Sequence, residues 1–303
     1  MPNRESGLGA RQPLVSVALC TYNGEKYIKA QLDSIIGQTY EALEIIICDD
    51  RSRDKTLDIL RSYTDSRIKI HENETNLGLE LNFLNAISLC SGEYISLSDQ
   101  DDVWAKNKVE KLLGYIGRNT LVYADSAFMD WDGIHTGKKL SDMRQMYSGG
   151  DDRVFSIPFV PFLFGHALLF TRNIKDGILA ARPPIFHDGW IGFVAAGKGT
   201  IGYLNEVLVF YRQHPASATI NSRTVQTPLD TYLNTWFEFT INHSDNNTNF
   251  FLRLQKLYNR RQTLPGAIKL FLFLFRYRKV VFVSKPGLLS RLNLIRKVFR
   301  KYR

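Results

Sequence analysis

The sequence has few cysteines, no long apolar run and, beyond residue 245, no acidic residue. Its three cysteines, Cys20, Cys48 and Cys90, are too few for a disulfide framework, and their separations match no zinc-binding spacing. We predict that they are buried as small apolar side chains. No stretch reaches the roughly 18 uninterrupted apolar residues of a membrane-spanning helix, and residues 1–13 lack the apolar segment of a signal peptide. These absences predict a cytoplasmic protein in a reducing compartment.

Two glycine-rich phosphate-binding patterns are also missing. The first predicted strand is followed by a single glycine, Gly24, where dinucleotide-binding folds have G-x-G-x-x-G. The P-loop pattern G-x-x-x-x-G-K-[ST] occurs nowhere in the sequence. Any phosphate group that the protein binds must therefore be held in another way.

Acidic residues stop at Asp245, and this divides the formal charge of +9 unevenly. From Asn246 to Arg303 there are 15 Lys and Arg and no Asp or Glu, which leaves 24 basic against 30 acidic side chains before them. The body is mildly acidic, and the positive excess belongs to the C-terminal region. An interpretation as a nucleic-acid-binding protein would depend on that region alone.

Apolar runs and periodic segments alternate through the first half of the chain. The runs predict buried strands, and segments with apolar residues three or four apart predict helices. The predicted strands are 14–20, 43–48, 68–71, 94–98 and 121–124, and the predicted helices are 25–38, a segment capped by Asp54, 79–89 and 106–115. This order predicts an α/β fold with a mostly parallel central sheet flanked by helices.

The second half of the chain is less regular. Strands are predicted at 167–171 and 207–211, after a long excursion at 125–164. Beyond about residue 223 the pattern is helical, with breaks at Pro265-Gly266 and Pro286-Gly287. We therefore expect a helical C-terminal extension.

Polar clusters stand at the ends of three predicted strands, where open parallel sheets bind their ligands. They are Thr21-Tyr22-Asn23, Asp49-Asp50 and the segment from Asp99 to Asp102. Asp99 and Asp101 are two residues apart, so in an extended segment both carboxylates point to one side and suit Mg²⁺ or Mn²⁺. A solvated acidic turn is the alternative for an isolated D-x-D, and the position after a buried strand favours the metal.

Taken together, these segments resemble family 2 glycosyltransferases of the GT-A type, over residues 14 to about 215. The motifs are Val17 to Gly24, Cys48 to Asp54, Asn76-Leu77-Gly78, Ser91 to Tyr94 and Ser98 to Trp104. The S-D-Q-D-D-x-W form resembles bacterial rhamnosyltransferase-like members. The resemblance implies a catalytic domain at 14–222, with a nucleotide-binding half at 14–124 and an acceptor half at 125–222. A flexible arm at 1–13 would precede it, and a helical basic region at 223–303 would follow.

The resemblance also implies which residues bind the donor and a metal. The residues expected to bind a nucleotide-sugar are Thr21, Tyr22, Asn23, Glu25, Asp50, Asn76, Gly78, Asp99 and Arg212. Asp101, Asp99 and His214 would hold Mg²⁺ or Mn²⁺. The sequence departs from the family at Arg51-Ser52-Arg53, where Gly-Ser-Thr is common, and this predicts a non-glycine geometry for that loop.

Asp188 is the candidate catalytic base, because the resemblance implies an acid at the start of a helix in the acceptor half. It would accept the proton of the acceptor hydroxyl during a direct, inverting displacement. From the residues alone, a helix N-cap is the other interpretation, and the two roles are compatible. Trp104, His166 and Trp190 are candidates for an acceptor pocket, although core packing is an equal alternative for both tryptophans.

The C-terminal segment from Leu288 to Arg303 is predicted to form an amphipathic helix. Leu288, Leu292, Ile295, Phe299 and Tyr302 recur every three or four residues among basic side chains, a pattern typical of a membrane surface. The segment 270–278, with its phenylalanines, is a possible second contact. The alternative is that the apolar stripes pack on the body and the charge faces water.

These observations predict an inverting, metal-dependent glycosyltransferase that acts peripherally on the inner membrane face. The expected donor is dTDP-rhamnose, with a UDP-hexose or UDP-N-acetylhexosamine as the alternative, and the expected acceptor is a lipid-linked, cell-surface glycan. The sequence has no Q/R-x-x-R-W motif, so we expect a non-processive enzyme. A nucleic-acid-binding protein and a catalytically silent scaffold of the same fold are the rival interpretations, and we expect no nucleic-acid partner.

Overall fold

The computed structural model describes residues 11–143, 146–149, 163–180, 187–215, 217, 229–243, 247–282 and 288–298. The predicted N-terminal arm lies outside the described residues except for 11–13, and so do Phe299 and Tyr302 of the predicted basic helix. Cys20, Cys48 and Cys90 are buried and unbridged, as predicted.

Four parallel strands form the first half of the sheet. They are β1 (Val15–Thr21), β2 (Leu43–Asp49), β3 (Ile68–Glu72) and β4 (Tyr94–Ser98), in the order β3-β2-β1-β4. Every residue of β1 and β2 is buried, because helices cover both faces of the sheet and leave no solvated side. The register pairs Thr21 with Asp49, so the polar residues that end β1 and β2 lie side by side.

The second half of the sheet adds antiparallel pairings. Its strands in the described residues are β5 (Val103–Trp104), β6 (Leu121–Met129), β7 (His135–Lys139), β8 (Leu168–Thr171) and β9 (Ile201–Arg212), which continue the order as β4-β8-β6-β9-β5 with β7 beside β6. β8 is antiparallel to β4 and β6, whereas β9 is parallel to β6. β6 and β9 are longer than predicted, because they pair along most of their length although β9 is only partly buried. β5 and β7 were not predicted, because β5 is only two residues long and β7 contains no apolar run.

Helices cover both faces of the sheet. The helices before residue 200 are α1 (Ile28–Ile36), α2 (Thr56–Arg61), α3 (Leu79–Leu89), α4 (Lys108–Ile116), α5 (Leu140–Met143), α6 (Lys175–Leu179) and α7 (His187–Lys198). β1 alternates between two cores: Val17 and Leu19 belong to the core with α1 and α4, and Ala18 and Cys20 to the core with α3 and α7. The α/β class with flanking helices is thus confirmed.

The C-terminal extension is helical, as predicted, and packs on α7. Its described helices are α8 (Leu229–His243), α9 (Thr248–Asn259), α10 (Leu264–Arg276), α11 (Arg278–Val281) and α12 (Leu288–Val298). The ring of Phe193 in α7 lies 6.2 Å from that of Trp236 and 6.0 Å from that of Phe251, centroid to centroid. These helices therefore share one hydrophobic core with α3 and α7. No helix in the described part of the chain is both long and apolar enough to cross a bilayer.

Candidate active site

A cavity of about 1320 Å³ opens at the carboxyl ends of β1, β2 and β4, where the polar clusters of the sequence stand. The predicted site residues that line it are Thr21, Tyr22, Asn23, Asp50, Asn76, Gly78, Asp99, Asp101, His166, Asp188 and His214. The fold therefore brings residues of both halves of the chain to one place. Glu25, Trp104, Trp190 and Arg212 do not line the cavity in the described structure.

Asp50 anchors the loop that leads into α3. Its buried carboxylate accepts hydrogen bonds from the amides of Leu77 (2.7 Å) and Gly78 (2.8 Å) and from Nδ2 of Asn73 (2.9 Å). A carboxylate offers about four lone-pair directions, so these three bonds leave acceptor capacity on Oδ2. The φ of Gly78 is 81°, a backbone conformation that glycine adopts without strain. Asp50 can therefore hold this loop and still accept one further N–H group from a ligand.

Asp49 joins the loops that follow β1 and β2. Its carboxylate accepts the hydroxyl of Thr21 at 2.7 Å, and also the amide (2.7 Å) and hydroxyl (2.6 Å) of Ser52. The Ser52 hydroxyl oxygen in turn accepts the amide of Asn23 at 2.9 Å, where Asn23 has a left-handed φ of 47°. The Thr21 side chain is therefore held in place before any ligand binds, which is the preorganisation that a binding site needs.

Arg51 stands at the point where the sequence departs from the family. Its backbone φ is 66°, so the expectation of a non-glycine geometry was wrong: the loop keeps a left-handed conformation that favours glycine. The Arg51 guanidinium donates a hydrogen bond to the carbonyl of Glu74. That bond ties the loop after β2 to the segment carrying Asn76, and it offsets part of the backbone strain.

Gln100, the middle residue of the D-x-D segment, was missed by the sequence reasoning. Its side chain accepts the Tyr22 amide at 2.8 Å and donates to the Tyr22 carbonyl at 3.0 Å. A Cβ atom at Gly24 would lie 2.2 Å from Oε1 of Gln100, so the glycine makes room for the amide. Two features of the sequence could have indicated this contact: Gln100 stands between the two aspartates of the D-x-D segment, and Gly24 follows β1 closely.

Asp101 and His214 form a close pair at the cavity. His214 Nε2 lies 2.7 Å from Asp101 Oδ2, and the imidazole is tilted against the ring of Tyr27 with centroids 4.7 Å apart. A carboxylate oxygen and an imidazole nitrogen that meet in a cavity are a donor set that Mn²⁺ accepts well and Mg²⁺ accepts through the oxygen. The residues present therefore fit a divalent cation.

Asp99 and Asp102 flank His166. Nδ1 of His166 lies 3.7 Å from Asp99 Oδ2 and 3.7 Å from Asp102 Oδ2, while its Nε2 lies 2.9 Å from the hydroxyl of Ser126. These three side chains offer atoms within 4.8 Å of one another and are also of metal-ligating types. Burial raises the pKa of Asp102 well above its usual range, and the nearby carboxylates add to that rise. The pKa of Asp99 is lowered despite its burial, because the facing imidazole favours the carboxylate.

Asp188 lies in the first turn of α7 and lines the same cavity. A negative charge is favourable there because of the helix dipole, and Asp188 Oδ1 accepts the amide of Gly189 at 2.6 Å. Burial nevertheless raises the pKa of Asp188, even though the neighbouring His187 opposes that rise. The imidazole of His187 stacks on the ring of Phe83 at 4.2 Å, which fixes the start of the helix.

Arg212 and Glu25 do not occupy the positions expected for ligand-binding residues. The Arg212 guanidinium is buried, and it donates to the carbonyls of Asp101 (2.8 Å), Asp130 (3.4 Å) and Trp131 (3.3 Å). It braces the segment that carries Asp101, in place of the phosphate contact expected. The carboxylate of Glu25 accepts the amide of Lys55 at 3.0 Å, outside the cavity lining.

Trp104 and Trp190 are core residues. Their side chains are 3% and 1% exposed and belong to separate hydrophobic cores, so the packing alternative applies to both. Trp104 also receives a buried cation: the Nζ of Lys108 lies 3.3 Å from a ring centroid of the indole and donates to the carbonyl of His166 at 2.6 Å. Of the three residues expected near an acceptor, only His166 lines the cavity.

Two solved structures are similar to this chain over most of its length. The first is Staphylococcus aureus TarS 1-349 in complex with UDP-GlcNAc, with a TM-score of 0.62, 16% identity, and coverage of 88% of this chain and 81% of that one. The second is a mannosyltransferase of Pyrobaculum calidifontis in complex with GDP-Man and Mn²⁺, with a TM-score of 0.52, 14% identity, and coverage of 90% and 87%. At these identities the likeness concerns the fold, and it confirms the expected GT-A architecture.

Sequence relatives agree with this architecture. An uncharacterized glycosyltransferase of Haemophilus influenzae is 35% identical over 58% of this chain and 54% of its own length. An Escherichia coli protein, UDP-Glc:alpha-D-GlcNAc-diphosphoundecaprenol beta-1,3-glucosyltransferase, is 36% identical over 36% of this chain and 44% of its own. The chain thus spans about half the length of these two relatives. Residues 16–177, more than half of the chain, match the family model described as glycosyl transferase family 2, and the protein belongs to that family.

Proposed function

We propose that the protein is an inverting, metal-dependent glycosyltransferase that moves a sugar from a nucleotide-sugar to a growing cell-surface glycan. The observation that supports this proposal is that Asp50, the pair of Asp101 and His214, and Asp188 line one cavity. Such a reaction needs a site for the nucleoside, charge neutralisation at the leaving diphosphate, and a base near the acceptor hydroxyl. The three groups of residues match these three needs.

Asp188 is the proposed general base. Its carboxylate accepts the proton of an acceptor hydroxyl while that oxygen bonds to the anomeric carbon and the bond from this carbon to the diphosphate oxygen breaks. One displacement from the opposite face inverts the configuration at the carbon. Because burial raises the pKa of Asp188, its carboxylate is a stronger proton acceptor than an exposed aspartate.

Asp101 and His214, with Asp99, are the proposed ligands of Mg²⁺ or Mn²⁺. A divalent cation bound there would act as a Lewis acid and balance negative charge on the leaving diphosphate. The mixed oxygen and nitrogen donors favour Mn²⁺, the ion present in the mannosyltransferase neighbour. Thr21, Tyr22, Asn23, Asp50, Asn76 and Gly78 remain the proposed contacts of the nucleoside.

Two donors are proposed. dTDP-rhamnose follows from the S-D-Q-D-D-x-W segment that ends at Trp104. A UDP-hexose or UDP-N-acetylhexosamine is favoured by the named donor of the Escherichia coli relative and by the UDP-GlcNAc bound to the TarS structure. Thermal shifts and nucleotide release across a panel of these donors will separate the two.

We further propose a lipid-linked acceptor at the inner face of the cell membrane. The Escherichia coli relative is named for a diphosphoundecaprenol substrate, and the basic C-terminal region of this chain suits an anionic surface. Transfer of one or a few sugars per encounter fits the lack of the Q/R-x-x-R-W motif. If the protein instead binds nucleic acid, salt-dependent retention on DNA will exceed its binding to vesicles.

The assignment is tested by Asp101→Ala and Asp188→Asn. Both variants should abolish transfer, but only Asp101→Ala should weaken the metal-dependent binding of a nucleoside diphosphate, measured by titration calorimetry with and without Mn²⁺. Matched controls are Asp58→Ala, and Asp176→Asn in the first turn of α6, because both carboxylates are exposed and lie outside the cavity. Wild-type product formation in either cavity variant would remove that residue from its role, and full binding without any turnover in the wild type would favour the silent scaffold.

A further inference from the structure

Helix α10 is apolar on two opposite sides. Leu270, Phe273 and Leu274 are buried in the core shared with α7 and α9. A second set of apolar side chains, spaced three or four residues apart, lies on the opposite side of the helix and is exposed, and we call it the outer face: Leu264, Ile268, Phe271 and Leu272. Leu264, Ile268 and Leu272 are 76%, 51% and 58% exposed. An apolar helix face is normally buried against a partner, yet among the residues that the structure describes the outer face is left largely exposed.

The charge around the outer face has one sign. Lys269 and Arg276 are exposed on α10 itself, and the guanidinium of Arg278 lies 4.1 Å from the ring centroid of Phe275. No acidic residue occurs anywhere after Asp245. An apolar strip with exposed cations on its own helix and no acid in the chain that follows fits a surface that is apolar inside and anionic outside.

The apolar stripe predicted for the tail helix is packed against the core at two of its three described positions. In α12, Ile295 is fully buried in the main core and Leu292 packs against that core. The periodicity of these residues is therefore a packing pattern for the described part of the helix. Among the side chains described for this helix, the large apolar ones that face solvent are Leu288 and Leu289 in its first turn, at 52% and 82% exposure.

We propose that the outer face of α10 is the membrane-docking element of the protein and inserts at the boundary between headgroups and acyl chains of an anionic bilayer. A second copy of the chain is a poorer occupant, because pairing two outer faces would bring Lys269, Arg276 and Arg278 of both copies together without any acid to neutralise them. A bilayer with anionic lipids supplies both the apolar layer and the counter-charge.

Docking through α10 would also position the catalytic helix. The ring of Phe250 in α9 lies 5.2 Å from that of Phe273 in α10, and the ring of Phe251 lies 6.0 Å from that of Phe193 in α7. α7 begins with the turn that carries Asp188. A bilayer bound to α10 would therefore lie at a fixed distance and orientation from the cavity. The importance of this geometry for catalysis rests on the proposed function, whereas docking itself does not.

Vesicle flotation tests the proposal with the full chain. The wild type should float with vesicles of phosphatidylcholine and phosphatidylglycerol, more weakly with phosphatidylcholine alone, and less as salt rises. Ile268→Glu/Leu272→Glu should lower the bound-to-free ratio at least about tenfold, since two apolar side chains lose their burial in lipid. The matched control is Ile134→Glu/Met143→Glu, because these side chains are 65% and 66% exposed on the catalytic domain, and it should float like the wild type.

A second variant and three further measurements separate docking from misfolding, dimerisation and loss of activity. Lys269→Gln/Arg276→Gln should lose binding selectively on anionic vesicles, and circular dichroism will show whether each variant is folded. The proposal is overturned if the wild type fails to float, if both α10 variants float normally, or if the wild type forms a dimer in sedimentation that Ile268→Glu/Leu272→Glu abolishes. Transfer to a water-soluble acceptor should be unchanged in these variants. A wild type that floats but transfers no sugar would defeat the proposed function and leave docking intact.

Discussion

The close approach of Gly24 and Gln100 predicts that Gly24→Ala lowers the free energy of unfolding in the wild type but raises it when Gln100 is absent. In the wild type, the three atoms nearest to a methyl group at position 24 would all belong to the Gln100 side chain, at 2.2, 2.6 and 3.3 Å. Gly24→Ala must therefore displace the Gln100 side chain and break its two hydrogen bonds to Tyr22. At about 0.5–1.5 kcal/mol for each hydrogen bond, the loss amounts to roughly 1–3 kcal/mol of unfolding free energy.

The same substitution should be harmless once Gln100 is absent. In a Gln100→Ala background the three atoms that crowd the new methyl group are gone, and the φ of Gly24 lies outside the left-handed region. Replacing glycine by alanine then restricts the unfolded chain and stabilises by about 0.4–1 kcal/mol. The double-mutant cycle should thus show a coupling energy of about 1–3 kcal/mol between the two positions.

Urea unfolding of the four proteins in the cycle measures this coupling, and donor kinetics add a functional readout. Because Gln100 holds the loop that carries Thr21 and Asn23, each single variant should raise the KM for the donor several-fold more than it lowers kcat. Gly114→Ala is the control, since a methyl group there meets nothing within 4 Å and should behave alike in both backgrounds. Additive effects, with a coupling energy below about 0.5 kcal/mol, would refute the argument that Gly24 makes room for the Gln100 hydrogen bonds to Tyr22.

Three further predictions follow from strain and pKa. Arg51→Gly should change the free energy of unfolding by less than about 1 kcal/mol, since relief of the left-handed φ offsets the lost hydrogen bond to Glu74. Arg51→Val should lower the free energy of unfolding by more than about 1 kcal/mol, because valine keeps the strain and loses the bond. Urea unfolding measures both changes. Burial raises the pKa of Asp188, so its pKa is higher in the folded than in the unfolded protein. At a pH above the unfolded pKa, the charge on Asp188 therefore lowers the free energy of unfolding. Asp188→Asn should raise the thermal midpoint at neutral pH but not at a pH below the unfolded pKa, while wild-type kcat/KM should fall as pH drops through the raised pKa. Burial would raise the pKa of Glu44, but hydrogen bonds from Ser16 and Ser91 lower it to about 2. The stability that Glu44 contributes is therefore present above its unfolded pKa and is lost as the pH falls toward 2. Glu44→Gln should remove most of this acid sensitivity, which equilibrium unfolding at a series of pH values will measure.

Local signals predicted the first half of the sheet. β1 and β2 are buried on both faces, so their apolar runs are continuous and their ends are marked by Thr21 and Asp49. Position in the sheet then brings these ends together without any further information. β9 gave a weaker signal, because only part of its length is buried and its pairing with β6 depends on residues far away in the chain.

The roles of several side chains depended on neighbours that the sequence does not reveal. Arg212 has the charge for a phosphate contact, but its guanidinium donates to the backbone carbonyls of Asp101, Asp130 and Trp131. Lys108 reads as a surface residue of an amphipathic helix, yet it is fully buried against Trp104. Periodicity indicates which face of an element is buried, but it does not indicate which partner or cavity that face meets.

The central claim is that one cavity transfers a sugar, with Asp188 as the base. Its most direct test is nucleoside diphosphate release from dTDP-rhamnose, UDP-glucose and UDP-N-acetylglucosamine with a diphosphate-linked lipid acceptor and Mn²⁺. We predict acceptor-dependent release by the wild type with one of these donors, and none by Asp188→Asn, which should still bind that donor with wild-type affinity. Release by Asp188→Asn at the wild-type rate would contradict the account, and so would a wild type that releases no nucleotide from any donor.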